Sequence, residues 1–191
     1  GTIAPHPSYA DDVAAECMEK IFLPTIRAME KEGRTFKGCL YFGLMITKDG
    51  PKVIEYNSRF GDPETQVVLP LLEGDLFEIM QATTEGTLDR VDFSFADKCA
   101  CCLVAASKGY PVSYEKGFEI TLPEKHDCIF IAGSRLEDGV QRTSGGRVLG
   151  VTEVADTLQE AVDKAYATMK TVHFDNMYYR KDIGAKALEV K

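Results

Sequence analysis

The sequence VIEYNSRFGDPE occupies positions 53–64 and is the most informative stretch of the chain. Side chains alternate between the two faces of a β-strand, so a strand here would project Glu55, Asn57 and Arg59 together, about 6.6 Å apart. A carboxylate and an amide oxygen suit Mg²⁺, which commonly takes one or two protein carboxylates together with substrate phosphates. An arginine beside them supplies fixed donors for a phosphate or for a phosphoryl group in transfer. A solvated edge strand with a polar outer face fits the same pattern equally well.

The residues on either side of this stretch predict a hairpin and a helix. Two strand-like runs, Phe36–Thr47 and Lys52–Phe60, flank an Asp-Gly turn signal at positions 49–50. After the second run, Asp62 has the properties of a helix N-cap and Pro63 those of a first helical residue. The prediction is therefore a hairpin whose second strand leads directly into a short helix.

Farther along, the chain changes character within the mixed, polar segment Thr87–Asp97, which predicts two domains, 1–92 and 93–191. The second domain is predicted to be small and rich in β-structure, and to close with a helix capped by Asp156. Its predicted strands are Lys98–Ala106, Phe118–Leu122, Cys128–Ser134 and Arg147–Val154. The predicted fold class is α+β.

Composition and charge narrow the function classes. The chain has 191 residues and a net charge of −8, which disfavours a nucleic acid partner because the two would repel each other. No stretch approaches the roughly 20 apolar residues that a membrane span requires. The opening residues have neither the basic region nor the apolar run of a signal peptide, so a membrane role is not expected.

The cysteines predict a reducing environment and no metal site. Three of the six crowd into Cys99-Ala100-Cys101-Cys102, but no second pair stands at metal-ligand spacing from them. The cluster lies in an apolar run that predicts a buried strand, where cysteine acts as a small hydrophobic side chain. Scattered free thiols favour a cytoplasmic location.

Several motifs, in order, resemble one enzyme family. The spacing Glu55-x-Asn57-x-Arg59 resembles the terminal metal-binding strand of the ATP-grasp superfamily. The longer segment 55–66 resembles the phosphoribosylamine–glycine ligase family in particular. Further segments that resemble this family are 36–45, 106–111, 145–149 and 179–184. Together they extend over essentially the whole chain.

The resemblance implies a fold and a reaction. The fold would be the C-terminal part of an ATP-grasp domain followed by a small, β-rich, hybrid-motif-like domain. The family joins glycine to 5-phosphoribosylamine, with cleavage of ATP to ADP and phosphate through glycyl phosphate, in purine (IMP) biosynthesis. Carried over by position, Glu55 and Asn57 match ligands of Mg²⁺ or Mn²⁺, and Arg59 matches a catalytic arginine at the transferred phosphoryl group. Asp62 and Glu64 would lie near the amine and glycine substrates, although helix capping explains them equally well.

The resemblance covers only the C-terminal part of the family. An N-terminal α/β domain, a phosphate-covering loop and an adenine pocket have no counterpart in these residues, so we expect the chain alone to be inactive without that N-terminal half. Two other interpretations stay open. A relative of biotin carboxylase would share Glu55, Asn57 and Arg59 but not the turn at 61–64, and a non-catalytic domain could retain the fold.

One glycine-rich turn has two interpretations. Ser144-Gly145-Gly146-Arg147 is a candidate anion site facing the substrate phosphate, because backbone amides in such turns bind anions. An ordinary hairpin turn explains the same residues. His6, His126 and His173 are far apart in sequence and have no ligand spacing, so they predict no metal site.

Overall fold

The computed structural model describes residues 1–125 and 127–190, so His126 lies outside the described residues. Its β-strands are β1 Thr2–Ala4, β2 Tyr41–Thr47, β3 Gly50–Asn57, β4 Leu72–Glu73, β5 Ser94–Phe95, β6 Cys99–Ser107, β7 Ile129–Ile131, β8 Ser134–Glu137, β9 Val140–Thr143, β10 Arg147–Ala155 and β11 Met177–Tyr178. Its α-helices are α1 Asp11–Cys17, α2 Leu23–Lys31, α3 Thr65–Val68, α4 Leu76–Glu85, α5 Leu158–Met169 and α6 Ala185–Leu188. The fold mixes helix and sheet, as the predicted α+β class requires.

The chain forms two compact units. The first, here called the hairpin unit, comprises His6–Asp62 and Leu72–Ala96. The second, called the sheet unit, comprises Gly1–Pro5, Pro63–Leu71 and Asp97–Lys191. The last segment of the sheet unit begins at Asp97. This is the final residue of Thr87–Asp97, the stretch predicted to contain the domain boundary. Both units are discontinuous in sequence, which local patterns do not reveal, and the domains 1–92 and 93–191 stay a prediction.

The sheet unit is built around the buried strand β6. Its sheet is antiparallel throughout, in the order β1-β6-β10-β7, with β11 also paired to β6. Alternate residues of β6 enter two different cores. Cys101, Leu103 and Ala105 pack in the core that includes α5, whereas Ala100 and Cys102 pack in the core that includes α3. A strand buried on both faces explains the unbroken apolar run in the sequence.

The strands predicted for this unit are found with modified ends. Those predicted at 98–106 and 147–154 are found as β6 and β10, and that predicted at 128–134 shortens to β7. Segment 118–122 is not a strand, since it contributes only isolated bridges at Glu119 and Thr121. The sequence analysis missed the hairpin β8–β9, whose turn contains the Asp138-Gly139 signal, with both residues at positive φ.

The start of helix α5 corrects another prediction. Thr157, not Asp156, is the N-cap, and its Oγ1 accepts a hydrogen bond of 3.3 Å from the amide of Glu160. Asp156 instead lies 3.6 Å from Lys98 in an exposed ion pair. The buried face of the helix is formed by Ala161, Val162, Ala165 and Met169, as its periodicity predicts.

This assignment predicts a difference between two neighbouring substitutions. Thr157→Ala should lower the free energy of unfolding by about 1 kcal/mol, because the Glu160 amide loses its capping acceptor. Asp156→Ala should cost less, because exposed ion pairs contribute little. Urea unfolding followed by circular dichroism measures both values. A larger loss for Asp156→Ala would restore Asp156 as the cap.

The hairpin unit contains little buried apolar surface. Strands β2 and β3 pair with each other and have no further strand partner among the described residues. Aromatic contacts join Phe22, the residue before α2, to the hairpin. The ring centres of Phe22 and Phe42 are 4.4 Å apart, and those of Phe42 and Tyr56 are 5.3 Å apart. Cys17 and Ala82 are the fully buried hydrophobic residues of this unit within the described residues. No helix in the described part of the chain is long and apolar enough to span a membrane.

Candidate active site

The β2–β3 hairpin brings two of the predicted site residues together. Strand β3 pairs antiparallel with β2, so that Glu55 lies opposite Gly43 and Asn57 lies opposite Tyr41. The side chains of Glu55 and Asn57 share one face, and Asn57 Nδ2 donates a 3.1 Å hydrogen bond to Glu55 Oε1. Glu55 is exposed and Asn57 is half-buried. A carboxylate and an amide oxygen therefore stand side by side on an accessible surface, as a site for a hard cation requires.

Gly43 lies opposite Glu55 in the candidate site, and the sequence analysis did not single it out. A Cβ on Gly43 would lie 2.8 Å from Glu55 Cγ, which is too close. The absence of a side chain at Gly43 therefore makes room for the Glu55 side chain. The pairing register also shifts between Gly43 and Leu44, a local irregularity of the kind often found beside functional sites. A glycine inside an apolar strand pattern was the available signal, because glycine there often marks a bulge or a close approach.

The structure separates Arg59 from the other two residues of the motif. Strand β3 ends at Asn57, because its partner strand begins at Tyr41, directly opposite. Arg59 lies beyond the end of the strand, and its Nη1 donates a 2.8 Å hydrogen bond to the carbonyl of Phe60. The predicted strand 52–60, with all three side chains on one strand face, is therefore wrong at its C-terminal end. Arg59 is exposed.

The turn after the strand also differs from its prediction. Helix α3 begins at Thr65 and has Glu64 at its N-cap position, two residues later than the predicted cap, Asp62. The carbonyl of Glu64 accepts the amides of Val67 and Val68, and its side chain forms no capping hydrogen bond. Asp62 is exposed in the hairpin unit, whereas Glu64 is half-buried in the sheet unit.

The cysteine cluster has the properties predicted for a structural strand. Burial raises the pKa of the Cys101 thiol in this cluster to about 12 and that of Cys128, which lies outside the cluster, to about 11, so both thiols are protonated at neutral pH. Protonated thiols are neither good nucleophiles nor metal ligands. Among the described residues, no group of three or more His, Cys, Asp or Glu side chains could hold a metal ion.

Sequence comparison places both parts of the chain in one family. Residues 1–65 match the family model "Phosphoribosylglycinamide synthetase, ATP-grasp (A) domain", and residues 100–186 match "Phosphoribosylglycinamide synthetase, C domain". The chain belongs to the phosphoribosylglycinamide synthetase family. A phosphoribosylamine–glycine ligase of this family, from Caldanaerobacter subterraneus, is 49% identical over 187 residues, which are 97% of this chain and 45% of that protein. The chain thus spans less than half the length of this relative.

Solved structures agree with the family assignment. The phosphoribosylamine–glycine ligase of Thermotoga maritima has a TM-score of 0.81 and 38% identity, covering 91% of this chain and 44% of that one. The biotin carboxylase domain of Hydrogenobacter thermophilus 2-oxoglutarate carboxylase has a TM-score of 0.57 and 16% identity, covering 94% and 42%. The second likeness shows the ATP-grasp fold alone.

Proposed function

We propose that the chain is the C-terminal part of a ligase that joins glycine to 5-phosphoribosylamine, with cleavage of ATP to ADP and phosphate. The observation that carries this proposal is the ligase relative with 49% identity over 97% of the chain. Glu55 and Asn57, which are hydrogen-bonded to each other on strand β3, support the proposal because they could bind the divalent cation that accompanies ATP. A relative of biotin carboxylase is a weaker candidate, because its likeness is limited to fold at 16% identity.

The proposed reaction has two steps. The terminal phosphoryl group of ATP passes to a carboxylate oxygen of glycine, which gives glycyl phosphate and ADP. The amine nitrogen of 5-phosphoribosylamine then attacks the carbonyl carbon, phosphate leaves, and the nitrogen releases a proton. We assign Asp62 and Glu64 to the amine and glycine substrates, since carboxylates suit an ammonium group. Arg59 would donate hydrogen bonds to the phosphoryl group as it moves.

The donor set on strand β3 fits a divalent cation. Glu55 and Asn57 would hold Mg²⁺ or Mn²⁺, because both present oxygen donors on one accessible face. A pair of protein ligands is sufficient, since Mg²⁺ commonly completes its coordination with waters and substrate phosphates. When bound, such an ion neutralises charge on the phosphates of ATP. We propose a cytoplasmic location, without nucleic acid or membrane partners, since ATP, glycine and 5-phosphoribosylamine are small water-soluble substrates.

One assay tests the proposed function in the full-length protein. We expect ATP, glycine and 5-phosphoribosylamine to give glycinamide ribonucleotide and ADP in equal amounts. Product formation is followed by mass spectrometry and ADP by a coupled assay. ATP cleavage that depends on bicarbonate instead would support the biotin carboxylase alternative, and binding without turnover would support a non-catalytic domain.

The metal assignment predicts a rescuable defect. Glu55→Gln in the full-length protein keeps the shape of the side chain but removes its charge, so activation should require a higher concentration of Mg²⁺ or Mn²⁺. Turnover should recover in part when the metal is in excess. The matched control is Asp49→Asn, which removes a carboxylate from the turn of the same hairpin and should leave the metal titration unchanged. Identical titration curves for Glu55→Gln and wild type would reject the assignment.

A further inference from the structure

Strand β2 contains one glycine, Gly43, which lies opposite Glu55 of strand β3. Gly43 has no side chain and so offers no side-chain ligand to a cation. Building on the ligase function proposed above, we infer that Gly43 is a positioning residue of the cation site. Its missing side chain allows the Glu55 carboxylate to lie beside Asn57, and even a methyl group at this position would weaken the binding of the cation.

A methyl group on Gly43 would conflict with the middle of the Glu55 side chain. Its carbon would lie 2.8 Å from Glu55 Cγ, whereas two carbon atoms in favourable contact are about 3.5–4.0 Å apart. Rotation of the terminal carboxylate does not relieve this contact, because the position of Cγ is set by the first side-chain torsion. Either that torsion changes or the two strands move apart.

Aromatic packing next to Gly43 opposes separation of the strands. Phe42, the neighbour of Gly43 on β2, lies opposite Tyr56 on β3, and their ring centres are 5.3 Å apart. The ring of Phe42 also contacts that of Phe22, with centres 4.4 Å apart. Movement of β2 away from β3 would disrupt these contacts. The side chain of Glu55 is therefore the group that we expect to move.

The backbone of Gly43 does not itself require glycine. Gly50, in the turn of the same hairpin, has a φ of 86°, a conformation that other residues adopt only with strain. Gly43 has no positive φ of this kind. A Cβ on Gly43 would also lie 3.6 Å from the carbonyl oxygen of Glu55, which is an ordinary contact. Its one severe conflict is thus with the Glu55 side chain.

The pairing irregularity beside Gly43 supports the same role. Gly43 pairs with Glu55 and Leu44 pairs with Val53, so Ile54 is the extra residue of a β-bulge. Bulges often redirect a neighbouring side chain beside an active site. Here the bulge directly precedes Glu55, and the glycine lies across from it. Both features act on the orientation of the same carboxylate.

A displaced Glu55 would also release Asn57. Asn57 Nδ2 donates a 3.1 Å hydrogen bond to Glu55 Oε1, and this bond orients the amide so that its oxygen is directed away from Glu55. Loss of the bond would let the amide rotate, and both oxygen donors would leave their common position. Groups that orient metal ligands typically contribute about 10- to 100-fold to metal affinity. Gly43 performs this task through space that it leaves empty.

Calorimetry on the full-length protein tests the inference without any turnover. Kd for ADP is measured in EDTA and in Mg²⁺, and the ratio of the two values is the gain that the cation provides. We expect Gly43→Ala to lower this ratio about tenfold, towards the value for Glu55→Gln, with no change of Kd in EDTA. Thr47→Ala is the matched control. It removes a 2.8 Å hydrogen bond to Gly50 O at the turn of the same hairpin and should leave the ratio unchanged.

A double variant tests whether Gly43 acts through Glu55. Gly43→Ala should lower Tm of the wild-type protein but not that of Glu55→Ala, because the conflicting Cγ is then absent. If Gly43→Ala alone fails to fold by circular dichroism, recovery of the fold in the double variant would support the inference. An equal loss of Tm in both backgrounds, a double variant that does not fold, or an unchanged Mg²⁺ ratio in Gly43→Ala would overturn it.

The same measurements distinguish this inference from the proposed function. If the Mg²⁺ ratio depends on Glu55 and falls in Gly43→Ala, but wild type makes no glycinamide ribonucleotide, the ligase proposal fails and the role of Gly43 stands. If wild type makes the product, but Gly43→Ala has the wild-type ratio, the ligase proposal stands and the role of Gly43 is rejected.

Discussion

The 191-residue chain alone is expected to form no detectable glycinamide ribonucleotide from ATP, glycine and 5-phosphoribosylamine. The hairpin unit gives the physical reason. Within its described residues only Cys17 and Ala82 are fully buried hydrophobic residues, whereas Ile54 is 63% exposed and Phe77 75% exposed. We expect exposed apolar side chains such as these to be covered by another part of the full-length protein. The chain also spans 45% of its ligase relative, so much of the surface that positions substrates lies elsewhere.

Mixing experiments provide the control for this prediction. The full-length protein, assayed under identical conditions, should turn over. Addition of the separately expressed N-terminal half to the 191-residue chain should restore part of the activity, if the apolar surface of the hairpin unit docks against that half. Ile54→Asp on β3 should reduce this restoration, because Ile54 is 63% exposed and the substitution places a charge in the expected interface. Turnover by the 191-residue chain at the rate of the full-length protein would contradict the prediction.

Local sequence patterns predicted those parts of the fold that local physics determines. The apolar run around Cys101 predicted the buried strand β6, because a strand that is covered on both faces is apolar along its whole length. The alternation of strand side chains predicted that Glu55 and Asn57 would share a face, and the hydrogen bond between them shows that they do. The recurrence of apolar residues predicted the buried face of α5.

The errors arose where a distant partner determines the local structure. Arg59 lies outside strand β3 because the partner strand begins at Tyr41, which no pattern around Arg59 reveals. The first strand, β1, belongs to the sheet unit because it pairs with β6, about a hundred residues later. The glycine turn at 144–147 does not offer its first two amides to an anion, because both donate to the carbonyl of Gly133, at 2.8 and 2.9 Å. Nor is it a hairpin turn, since β9 and β10, which it connects, pair with other strands and not with each other.

Replacement of Arg59 by lysine is expected to lower kcat of the full-length protein in the proposed ligase reaction by about a hundredfold, or about 3 kcal/mol, which is typical for the loss of one transition-state contact. Lysine keeps the charge but loses the planar fork of donors that matches phosphoryl oxygens. Arg59 suits this task, because it is exposed and its hydrogen bond to Phe60 O uses one of the five N–H donors that a guanidinium carries. Arg59 lies beyond the end of β3, so its backbone, unlike that of Glu55 and Asn57, is not held by pairing with β2.

The kinetic pattern of Arg59→Lys should distinguish a catalytic role from a binding role. A contact made mainly in the transition state lowers kcat and kcat/KM together and leaves KM for ATP nearly unchanged. The metal titration should also stay close to that of wild type, unlike that of Glu55→Gln, because Arg59 is proposed to contact the phosphoryl group and not the cation. Arg27→Lys, on helix α2 of the same unit, is the matched control and should retain full turnover. A near-normal kcat for Arg59→Lys, with the fold intact by circular dichroism, would leave Arg59 without a catalytic role and would favour the interpretation of this segment as a solvated edge.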